Sequence, residues 1–478
     1  MKNIMPIKNK IYYGLFLISF CFLAGCSVGP KYKRPETLAD KAGWTFGNRE
    51  YSKDTNNPGK WWERFNDETT NQLVRKALEN NYDIKIAAAK VLQAQAQFKI
   101  AGGKLLPEIS AGSDSQLLRQ NSGPPGSALE KTGKVTKTRT YTDVFSISYV
   151  VDLFGKLRHA KESRLKAMLA AKVNENAVIN SLIASVINSR INIAVLQNRL
   201  DIAKANADSL AQTLNIVEER YKLGLVGPVD VRLARENLAA ANASVPAAKL
   251  SLKLAQNTLA TLIAAQPGRI ENFSDKMAEL PLPQIVPVGL PATLLKRRPD
   301  VVEAELKLEA QNESIGESIA SLYPSITFTG SMGWKSNQSD SIFVDEAWLY
   351  SALLSISQPI FKGGQLKAQV EYDKALFAEL ASVYSRTVIT AMQEVEDQAA
   401  TEDLLRQQLK YAQIRLEEAT ASVELSRDRY KRGVETILTV LESERQKNTA
   451  EDSLAILKGQ IWNARINLFL ALGGDWTG

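Results

Sequence analysis

The stretch RYKRGVETILTV, from Arg429 to Val440, is nearly repeated 209 residues earlier as RYKLGLVGPVDV, from Arg220 to Val231. Each copy comes at the end of a long stretch that contains neither glycine nor proline. Internal similarity at so long a period indicates a duplicated architecture. A glycine directly after a run of helix-forming residues is typical of a helix end. The sequence therefore predicts two equivalent helical hairpins whose turns carry the repeated motif.

The duplication extends over most of the chain. The segment 80–109 aligns without gaps with 297–326, and Phe154 in DLFGK falls on Phe361 in PIFKGG. Each half is predicted to run helix, strand, strand, long helix, turn and helix. A proline-rich stretch, 267–291, separates the two halves. The chain is therefore predicted to be an old tandem duplication rather than a row of compact domains.

Two stretches without glycine or proline, 157–223 and 366–432, are each 67 residues long. At about 1.5 Å of rise per residue, either would be roughly 100 Å long if unbroken. A pattern this long predicts a coiled coil or a helical wall. The predicted return arms are 228–266 and 434–472, and Pro246 should kink the first arm or break its hydrogen bonding locally. A soluble antiparallel coiled-coil scaffold is an alternative at this point.

Residues 1–25 have the features of an export signal. MKNIMPIKNK is positively charged, IYYGLFLISFCFLA is an apolar run of 14 residues, and LAGC, ending at Cys26, resembles a bacterial lipobox. Cleavage before Cys26 would leave it as an acylated amino terminus, whereas an ordinary signal peptide would make that cysteine incidental. Ser27, not an aspartate, follows, which in lipoproteins generally suggests the outer membrane. No apolar run of 18 residues follows, so no transmembrane helix is expected.

Three segments alternate clearly between apolar and polar residues, and a fourth, after Pro107, alternates more weakly. The clear ones are TYTDVFSISYV (140–150), ITFTGSMGWK (326–335) and WLYSALLSIS (348–357). A period of two predicts β-strands. Strands of about ten residues with aromatic residues near their ends are typical of a transmembrane β-barrel wall. A half-buried sheet in a soluble protein shows the same alternation and stays an alternative.

A sheet in lipid cannot leave an edge unpaired, so it must close on itself. Four strands are too few, because the smallest bacterial barrels have about eight. Two chains would supply eight strands around a filled interior, and three would supply twelve and leave room for a lumen. The small and hydroxylic side chains on the inward faces favour the open form. We therefore predict a homotrimer in which each chain contributes four strands.

Several short motifs together resemble one known family. They are CSVGPKYKRP (26–35), KWWERF (60–65), the LLP and LYP strand starts, FGK and FKGG after the second strands, and both RYKxG turns. Their order and duplication are similar to the lipoprotein branch of the TolC-type outer-membrane factors, and the match covers 26–476. The resemblance implies a mostly α protein with a membrane β-barrel part. Its fold would be a trimeric 12-stranded β-barrel, continued by a long α-helical coiled-coil barrel, built from two tandem structural repeats.

The resemblance also implies a function and partners. It implies a passive exit duct of a tripartite efflux pump, which conducts small molecules such as drugs or toxic compounds across the outer membrane. The implied partners are two further copies of the chain, a periplasmic adaptor protein, an inner-membrane transporter and outer-membrane lipid. No cofactor is expected besides the covalent lipid on Cys26. No nucleic-acid partner is expected, because the net charge of +7 includes no basic cluster with interleaved aromatic residues.

These inferences divide the chain into six segments. The resemblance implies that the N-terminal segment, the connector and the C-terminus form an equatorial collar. The predicted segments are a lipoprotein signal peptide (1–25), a lipidated extended segment (26–66), a first repeat (67–266), a connector (267–291), a second repeat (292–472) and a tail (473–478).

The resemblance also points to a gate in the second repeat, where Glu442 in TVLESERQ matches the family's aperture carboxylate. Leu438 lies one helical turn before it and Arg445 nearly one turn after, so the three are predicted to share a helix face. Around a threefold axis Leu438 would form an apolar constriction. The carboxylates would form a ring that repels itself, attracts cations and is restrained by arginine partners, for which Arg445 is the candidate. The alternative is a solvated Glu442–Arg445 pair on the surface.

The family further suggests a closed-state link between Asp230 of the first copy and Tyr430 of the second. The sequence departs from relatives at Val229 and Glu435, positions that can carry threonine and arginine. Exposed apolar residues beside a flexible turn offer a docking edge for the adaptor. The predicted docking residues are Gly224, Leu225, Val226, Gly433 and Val434.

The residues give little support for catalysis, and we predict that the protein is not an enzyme, with no catalytic and no metal-binding residues. His159 is the only histidine in the chain, which excludes a multi-histidine metal site. It is expected to be a solvated side chain rather than a base. Two alternatives to an efflux duct stay open: an exit duct of a type I protein secretion system, and a non-conducting periplasmic coiled-coil scaffold lipoprotein.

Overall fold

The structure, a computed structural model, describes residues 27–40, 43–45, 61–65, 67–121, 135–268 and 295–474. The signal peptide, Cys26 and nearly all of the predicted connector lie outside the described residues. In chain order the main elements are α1 (Glu68–Asn80), α2 (Tyr82–Gly103), β1 (Glu108–Asn121), β2 (Val135–Val151), α3 (Lys156–Lys222), α4 (Pro228–Leu262), α5 (Pro299–Ala320), β3 (Ser325–Ser336), β4 (Trp348–Ser357), α6 (Gln365–Lys431) and α7 (Ile437–Ala471).

The two halves of the chain repeat one pattern of helix, two strands, long helix and shorter helix. Corresponding helices have equal lengths: α2 and α5 have 22 residues, α3 and α6 have 67, and α4 and α7 have 35. The ends of α3 and α6 are separated by the same interval as the repeated motif. The predicted duplication, the four strands and the two long helices are confirmed. Pro246 lies inside α4 without ending it.

The chain forms two compact units, which are described separately. One contains the described residues within Met1–Arg34, Val91–Ala170 and Glu305–Val383, and the other those within Pro35–Lys90, Ala171–Ala304 and Tyr384–Gly478.

The first unit contains a four-stranded antiparallel sheet in the order β1-β2-β3-β4. The register aligns Phe145 with Met332 and Met332 with Tyr350, so apolar side chains from three strands form one row on one face. On the other face Ser331 and Ser351 are aligned, and their hydroxyl groups lie 2.8 Å apart. The alternation in the sequence therefore sorts apolar and polar side chains onto opposite faces of the sheet.

The apolar face of this sheet is uncovered. Phe145 is 56% exposed, Met332 50%, Tyr350 80%, Leu354 65% and Ile356 67%. A sheet of a soluble protein buries such a face against other elements. An apolar face this open requires another cover, and lipid supplies one in a membrane barrel. The exposure argues against the soluble-sheet alternative.

The core of the second unit is built around aromatic residues near both ends of the chain. Trp61 is buried and stacks on Phe469 of α7, with ring centroids 5.6 Å apart. Phe65 meets Trp462 edge to face at 5.2 Å. The KWWERF motif therefore ties the N-terminal segment to the last helix, because large aromatic side chains bury much apolar area at one place.

Helix α3 contains an apolar window of 18 residues with a mean hydropathy of 1.4, of which 56% is buried within the chain. No transmembrane helix was expected from the sequence, and by length and composition alone this window is a candidate. Its most apolar residues, including Ile183, Val186, Ile187 and Ile193, belong to the buried core of the second unit. We assign the apolarity of the window to packing within the protein.

Candidate functional site at the hairpin turns

The two hairpin turns end their long helices in the same way. Gly224 and Gly433 adopt positive φ angles of 72° and 80°, a conformation that disfavours side chains with a Cβ. At the first turn the Leu225 amide donates to the Arg220 carbonyl, and the Gly224 amide donates to the Tyr221 carbonyl, both at 2.9 Å. This pair of bonds is the Schellman motif, which satisfies carbonyl groups left free at a helix end.

The second turn repeats these bonds. The Val434 amide donates to the Arg429 carbonyl at 3.0 Å, and the Gly433 amide donates to the Tyr430 carbonyl at 2.9 Å. The repeated RYKxG motif is therefore one helix-ending device used twice. Helix α7 then begins later than predicted, at Ile437, because the Thr436 side chain caps its N-terminus.

The predicted docking residues differ in exposure. Leu225 is 61% exposed and Val434 is 60% exposed, so each turn has one predicted docking residue with an exposed apolar side chain. Leu223 and Val229 add further exposed apolar area at the first turn. Val226 is partly buried and packs against the core cluster beneath the turns. Gly224 and Gly433 shape the backbone and contribute no side chain. Leu225 and Val434 are the docking candidates with accessible apolar area.

The predicted gate residues share the exposed face of α7. Leu438 is 62% exposed. The Arg445 guanidinium donates to both carboxylate oxygens of Glu442, with Nε to Oε2 at 2.9 Å and Nη2 to Oε1 at 2.6 Å. These bonds, followed by one from Gln446 at 2.8 Å, lower the pKa of Glu442. Gln446 is a partner of Glu442 that the sequence analysis missed.

A second carboxylate on α7 points the other way, into the protein. Glu444 is 3% exposed and accepts hydrogen bonds from Thr213 at 2.8 Å and Ser209 at 2.9 Å, both on α3. Arg427 on α6 donates Nε to it at 2.9 Å and also donates Nη2 to the Ser209 carbonyl at 2.8 Å. This network, here called the buried cluster (Ser209, Thr213, Arg427, Glu444), joins three helices.

The buried cluster was not predicted from the sequence, although the residues around Glu444 contain a signal for it. Val440, Leu441 and Glu444 have the three- and four-residue spacing of one helix face. An acidic residue in that apolar pattern indicates a buried charge with a partner.

Tyr430 and Asp230 are neighbours, but the structure gives the tyrosine a different main partner. Tyr430 is 3% exposed, and its hydroxyl has no hydrogen-bond partner among the described residues. Burial raises the pKa of Tyr430, and the nearby Asp230 carboxylate raises it further. The Arg220 guanidinium lies over the Tyr430 ring at 4.8 Å and donates to the carbonyl groups of Tyr430 and Lys431. Arg220 therefore joins the first hairpin to the second.

Glu435, where relatives can carry arginine, supports the start of α7. Its carboxylate accepts hydrogen bonds from the Thr436 amide at 3.2 Å and the Thr439 hydroxyl at 3.0 Å. The Thr436 and Thr439 bonds are the main causes that lower the pKa of Glu435, and Arg429 contributes less. In this chain the position carries a negative charge beside a helix N-terminus, which favours the carboxylate form.

The chain matches known proteins over nearly its whole length. A family model described as outer membrane efflux protein matches residues 73–265 and 290–474. The chain belongs to the outer membrane efflux protein family. It is 31% identical over 474 residues to the pyoverdine export outer membrane protein OpmQ of Pseudomonas aeruginosa, covering 99% of this chain and 98% of that protein. It is 29% identical to the toluene efflux pump outer membrane protein TtgF of Pseudomonas putida, covering 95% of both.

Solved structures agree with this assignment. The outer-membrane channel OprN matches with a TM-score of 0.85 and 26% identity, over 95% of this chain and all of that chain. The open state of the Neisseria gonorrhoeae MtrE outer membrane channel matches with a TM-score of 0.80 and 27% identity, over 94% of this chain. This efflux protein thus has the TolC-type fold and belongs to the outer membrane. Members of the family are channels rather than enzymes.

Proposed function

We propose that this efflux protein is the exit duct of a tripartite pump for small molecules, open to solutes along its axis and closed at rest near the hairpin turns. The observation that carries the proposal is the uncovered apolar face of the sheet, in a chain that matches efflux channels over nearly its whole length. A duct of this kind lowers no chemical barrier, so the energy for export comes from the transporter that feeds it.

The sheet supports a trimer as the conducting form. Strands β1 and β4 are the two edges of the sheet, and each has only one neighbouring strand within the described chain. An unpaired edge is not stable in lipid, so both edges must pair with other copies. Three copies supply twelve strands, enough to surround a lumen. Cys26, outside the described residues, is proposed to carry the covalent lipid.

The gate is proposed to consist of Leu438, Glu442 and Arg445, with Gln446 as an added partner of the carboxylate. Leu438, Glu442 and Arg445 are exposed in the single chain, as expected for residues that would face the threefold axis of a trimer. Asp230 and Tyr430, which lie close enough for the Asp230 charge to act on the tyrosine, are proposed to contribute to the closed state. Arg220 is proposed to make the direct contact between the hairpins.

A periplasmic adaptor is proposed to dock on the exposed apolar side chains of the two turns. Replacing Leu225 and Val434 together by aspartate places a negative charge in the apolar surface of each turn and leaves the glycines that shape the turns unchanged. The matched control, Leu225→Met with Val434→Ile, keeps the surface apolar. If the proposal holds, the aspartate variant loses pump function while the control keeps it.

The test uses a strain that lacks its own outer-membrane factors but expresses the periplasmic adaptor and inner-membrane transporter of an efflux pump. We expect the wild-type chain to lower ethidium accumulation and raise resistance to toxic compounds, and the aspartate variant to do neither. Normal outer-membrane levels of both proteins must be verified. If wild type exports a protein substrate and no small molecule, the protein serves type I secretion, and the proposal is wrong.

A further inference from the structure

The first described residues, 27–30, contact the start of α3 and one face of α5, and this contact region is here called the seat. The Val28 amide donates to the Phe154 carbonyl at 3.2 Å, and the Asn312 side chain donates to the Pro30 carbonyl at 2.9 Å. Asn312 is buried. The residues directly after Cys26 therefore have fixed partners in the same compact unit as the sheet.

His159 lies at the centre of this seat and is not the solvated side chain expected from the sequence. Its Nδ1 lies 2.6 Å from Oε2 of Glu313 on α5. Its Nε2 lies 3.0 Å from the Val28 carbonyl and 2.9 Å from the Ser27 hydroxyl. A Cβ on Gly316 would lie 2.6 Å from the imidazole ring, so the ring needs a glycine at that position. No sequence pattern predicted these contacts of His159, because α5 and the N-terminal segment meet α3 only in the folded chain.

The partners of His159 determine its protonation. A backbone carbonyl and a carboxylate only accept hydrogen bonds, so each ring nitrogen must carry a hydrogen to bond its partner. A neutral imidazole has one N–H and would set a lone pair against one of these oxygens. The geometry therefore favours the doubly protonated imidazolium. Only the Ser27 hydroxyl can donate to an unprotonated Nε2, and the Val28 carbonyl would then face the lone pair of that nitrogen.

The charged groups near the ring also favour the charged form. Glu313 contacts the ring from α5. Asp152, in the connection between β2 and α3, pairs with Arg158 and acts on the ring through its charge. The N-terminal segment contributes the uncharged Val28 carbonyl and Ser27 hydroxyl. Hydrogen bonding to Glu313 is the largest cause that raises the pKa of His159, burial opposes it, and the charges of Glu313 and Asp152 raise it further.

We propose that residues 27–30 and His159 form an anchor-positioning site, in which an imidazolium clamps the segment after Cys26 and fixes where the lipid leaves the protein. The role toward the lipid rests on the proposed acylation of Cys26, whereas the clamp itself does not. The proposed lipid is attached to Cys26, so its acyl chains would leave the protein one residue before Ser27, whose hydroxyl contacts His159. His159 is a positioning residue, since it acts on the anchor through the backbone of Val28.

The clamp has a defined pH dependence. Because the pKa of His159 is raised on folding, its stabilising contribution is complete below the ordinary value of about 6.5 and is lost as the pH rises through the higher folded value. The segment should therefore be held most firmly below about pH 6.5 and loosened as the pH rises through the folded value.

The first test measures protonation directly. His159 is the only histidine, so solid-state NMR of ¹⁵N-histidine-labelled mature protein, purified without a histidine tag and reconstituted in lipid, reports this ring alone. We expect both ring nitrogens to be protonated at pH 7. A signal from one protonated and one unprotonated nitrogen would overturn the clamp.

The second test measures how firmly the segment is held, by tryptic cleavage after Lys31 and Lys33, both of which are exposed. At pH 7 we expect His159→Gln to be cleaved about ten-fold faster than wild type, because charge-assisted hydrogen bonds are lost. Wild-type cleavage should accelerate between pH 7 and 9.5, corrected for trypsin activity on a denatured substrate, and the variant should lose this dependence. The control Arg164→Gln removes an exposed charge from α3 and should behave as wild type. Equal rates for both variants would reject the clamp.

Mass spectrometry of the N-terminal peptide separates the two proposals. If Cys26 carries no acyl chain, the proposed lipidation fails, and with it the anchor role. The NMR and cleavage results then still decide whether His159 holds the segment. If Cys26 is acylated but the ring is neutral, lipidation stands and the clamp is wrong.

Discussion

Two glutamates two residues apart on α7 form ion pairs of opposite kinds. Glu442 pairs with Arg445 on its own helix, and both side chains are about half exposed or more, at 46% and 69%. Glu444 pairs with Arg427 on α6, and the glutamate side chain is 3% exposed. The first pair lies on the face with the gate candidates, and the second faces the buried cluster.

The difference shows how one helix can hold the hairpins together and still carry the proposed gate residues on its exposed face. A surface ion pair contributes little to stability, because water and salt screen it and the side chains lose freedom when they pair. A buried carboxylate that loses its partners keeps its desolvation penalty, so breaking a buried pair is strongly destabilising. The exposed pair can therefore separate at little cost, while the buried pair should stay intact.

The largest expected effect is that of Glu444→Ala. We expect it to lower the free energy of unfolding by about 3 kcal/mol, because Arg427 and the α3 hydroxyl groups lose their common acceptor. The measurement is denaturant unfolding of the purified protein. The matched control is Glu442→Ala, which should leave the unfolding midpoint unchanged. Equal effects of the two substitutions would contradict the distinction between the pairs.

The next effect concerns the equivalence of the two turns. Gly224→Ala and Gly433→Ala should each destabilise the protein by about 1 kcal/mol, because alanine is strained at a positive φ angle. The control is Gly227→Ala, where φ is −85° and alanine is tolerated. Thermal unfolding of the single and double variants tests this. A much larger loss of stability at one turn would show that the two turns are not equivalent.

The sequence predicted the parts of this protein that depend on local pattern. The stretches without glycine or proline predicted the long helices to within one residue, and the alternation in WLYSALLSIS predicted β4 with its exact bounds. The serine-rich β1 alternates weakly, and its 14 residues form a strand because β2 pairs along their whole length. Pairing, which local pattern does not encode, determined that strand.

The site was predictable only where its contacts lie within one helix. Glu442 and Arg445 are three residues apart, so helical geometry alone brings them together. The Arg220–Tyr430 contact, the buried cluster and the His159 seat join residues that are distant in the chain. A sequence pattern can indicate a buried charge at Glu444, but it does not name the partner, because the packing of different helices decides it.

A smaller effect is expected from Tyr430→Phe. The Tyr430 hydroxyl is buried without a hydrogen-bond partner among the described residues, so its removal should change the free energy of unfolding by less than about 1 kcal/mol and can be stabilising. The ring and its contact with Arg220 remain. The control is Arg220→Met, which removes that contact and should destabilise more. A clear loss of stability in Tyr430→Phe would instead support a direct Asp230–Tyr430 hydrogen bond in solution.

The smallest effect on stability, and the one most specific to function, belongs to the exposed pair. Glu442→Ala with Arg445→Ala should leave thermal unfolding unchanged but raise the ion conductance of the protein in planar bilayers, because it removes the restraint on the proposed aperture. The control is Asp201→Ala with Lys204→Ala, an exposed pair with the same three-residue spacing on α3. Unchanged conductance in the gate variant would remove both residues from the gate.

The pH dependence of conductance sharpens this test. Arg445 lowers the pKa of Glu442, so the carboxylate stays charged until the pH falls through a value below the ordinary one of about 4.3. Arg445→Ala removes the main cause of that lowering, and carboxylates that face one another without partners repel and take up protons more readily. The pH at which conductance changes should therefore be below about 4.3 in wild type and higher in Arg445→Ala. If the two midpoints coincide, Arg445 does not control the charge at the aperture, and the exposed pair is only a surface contact.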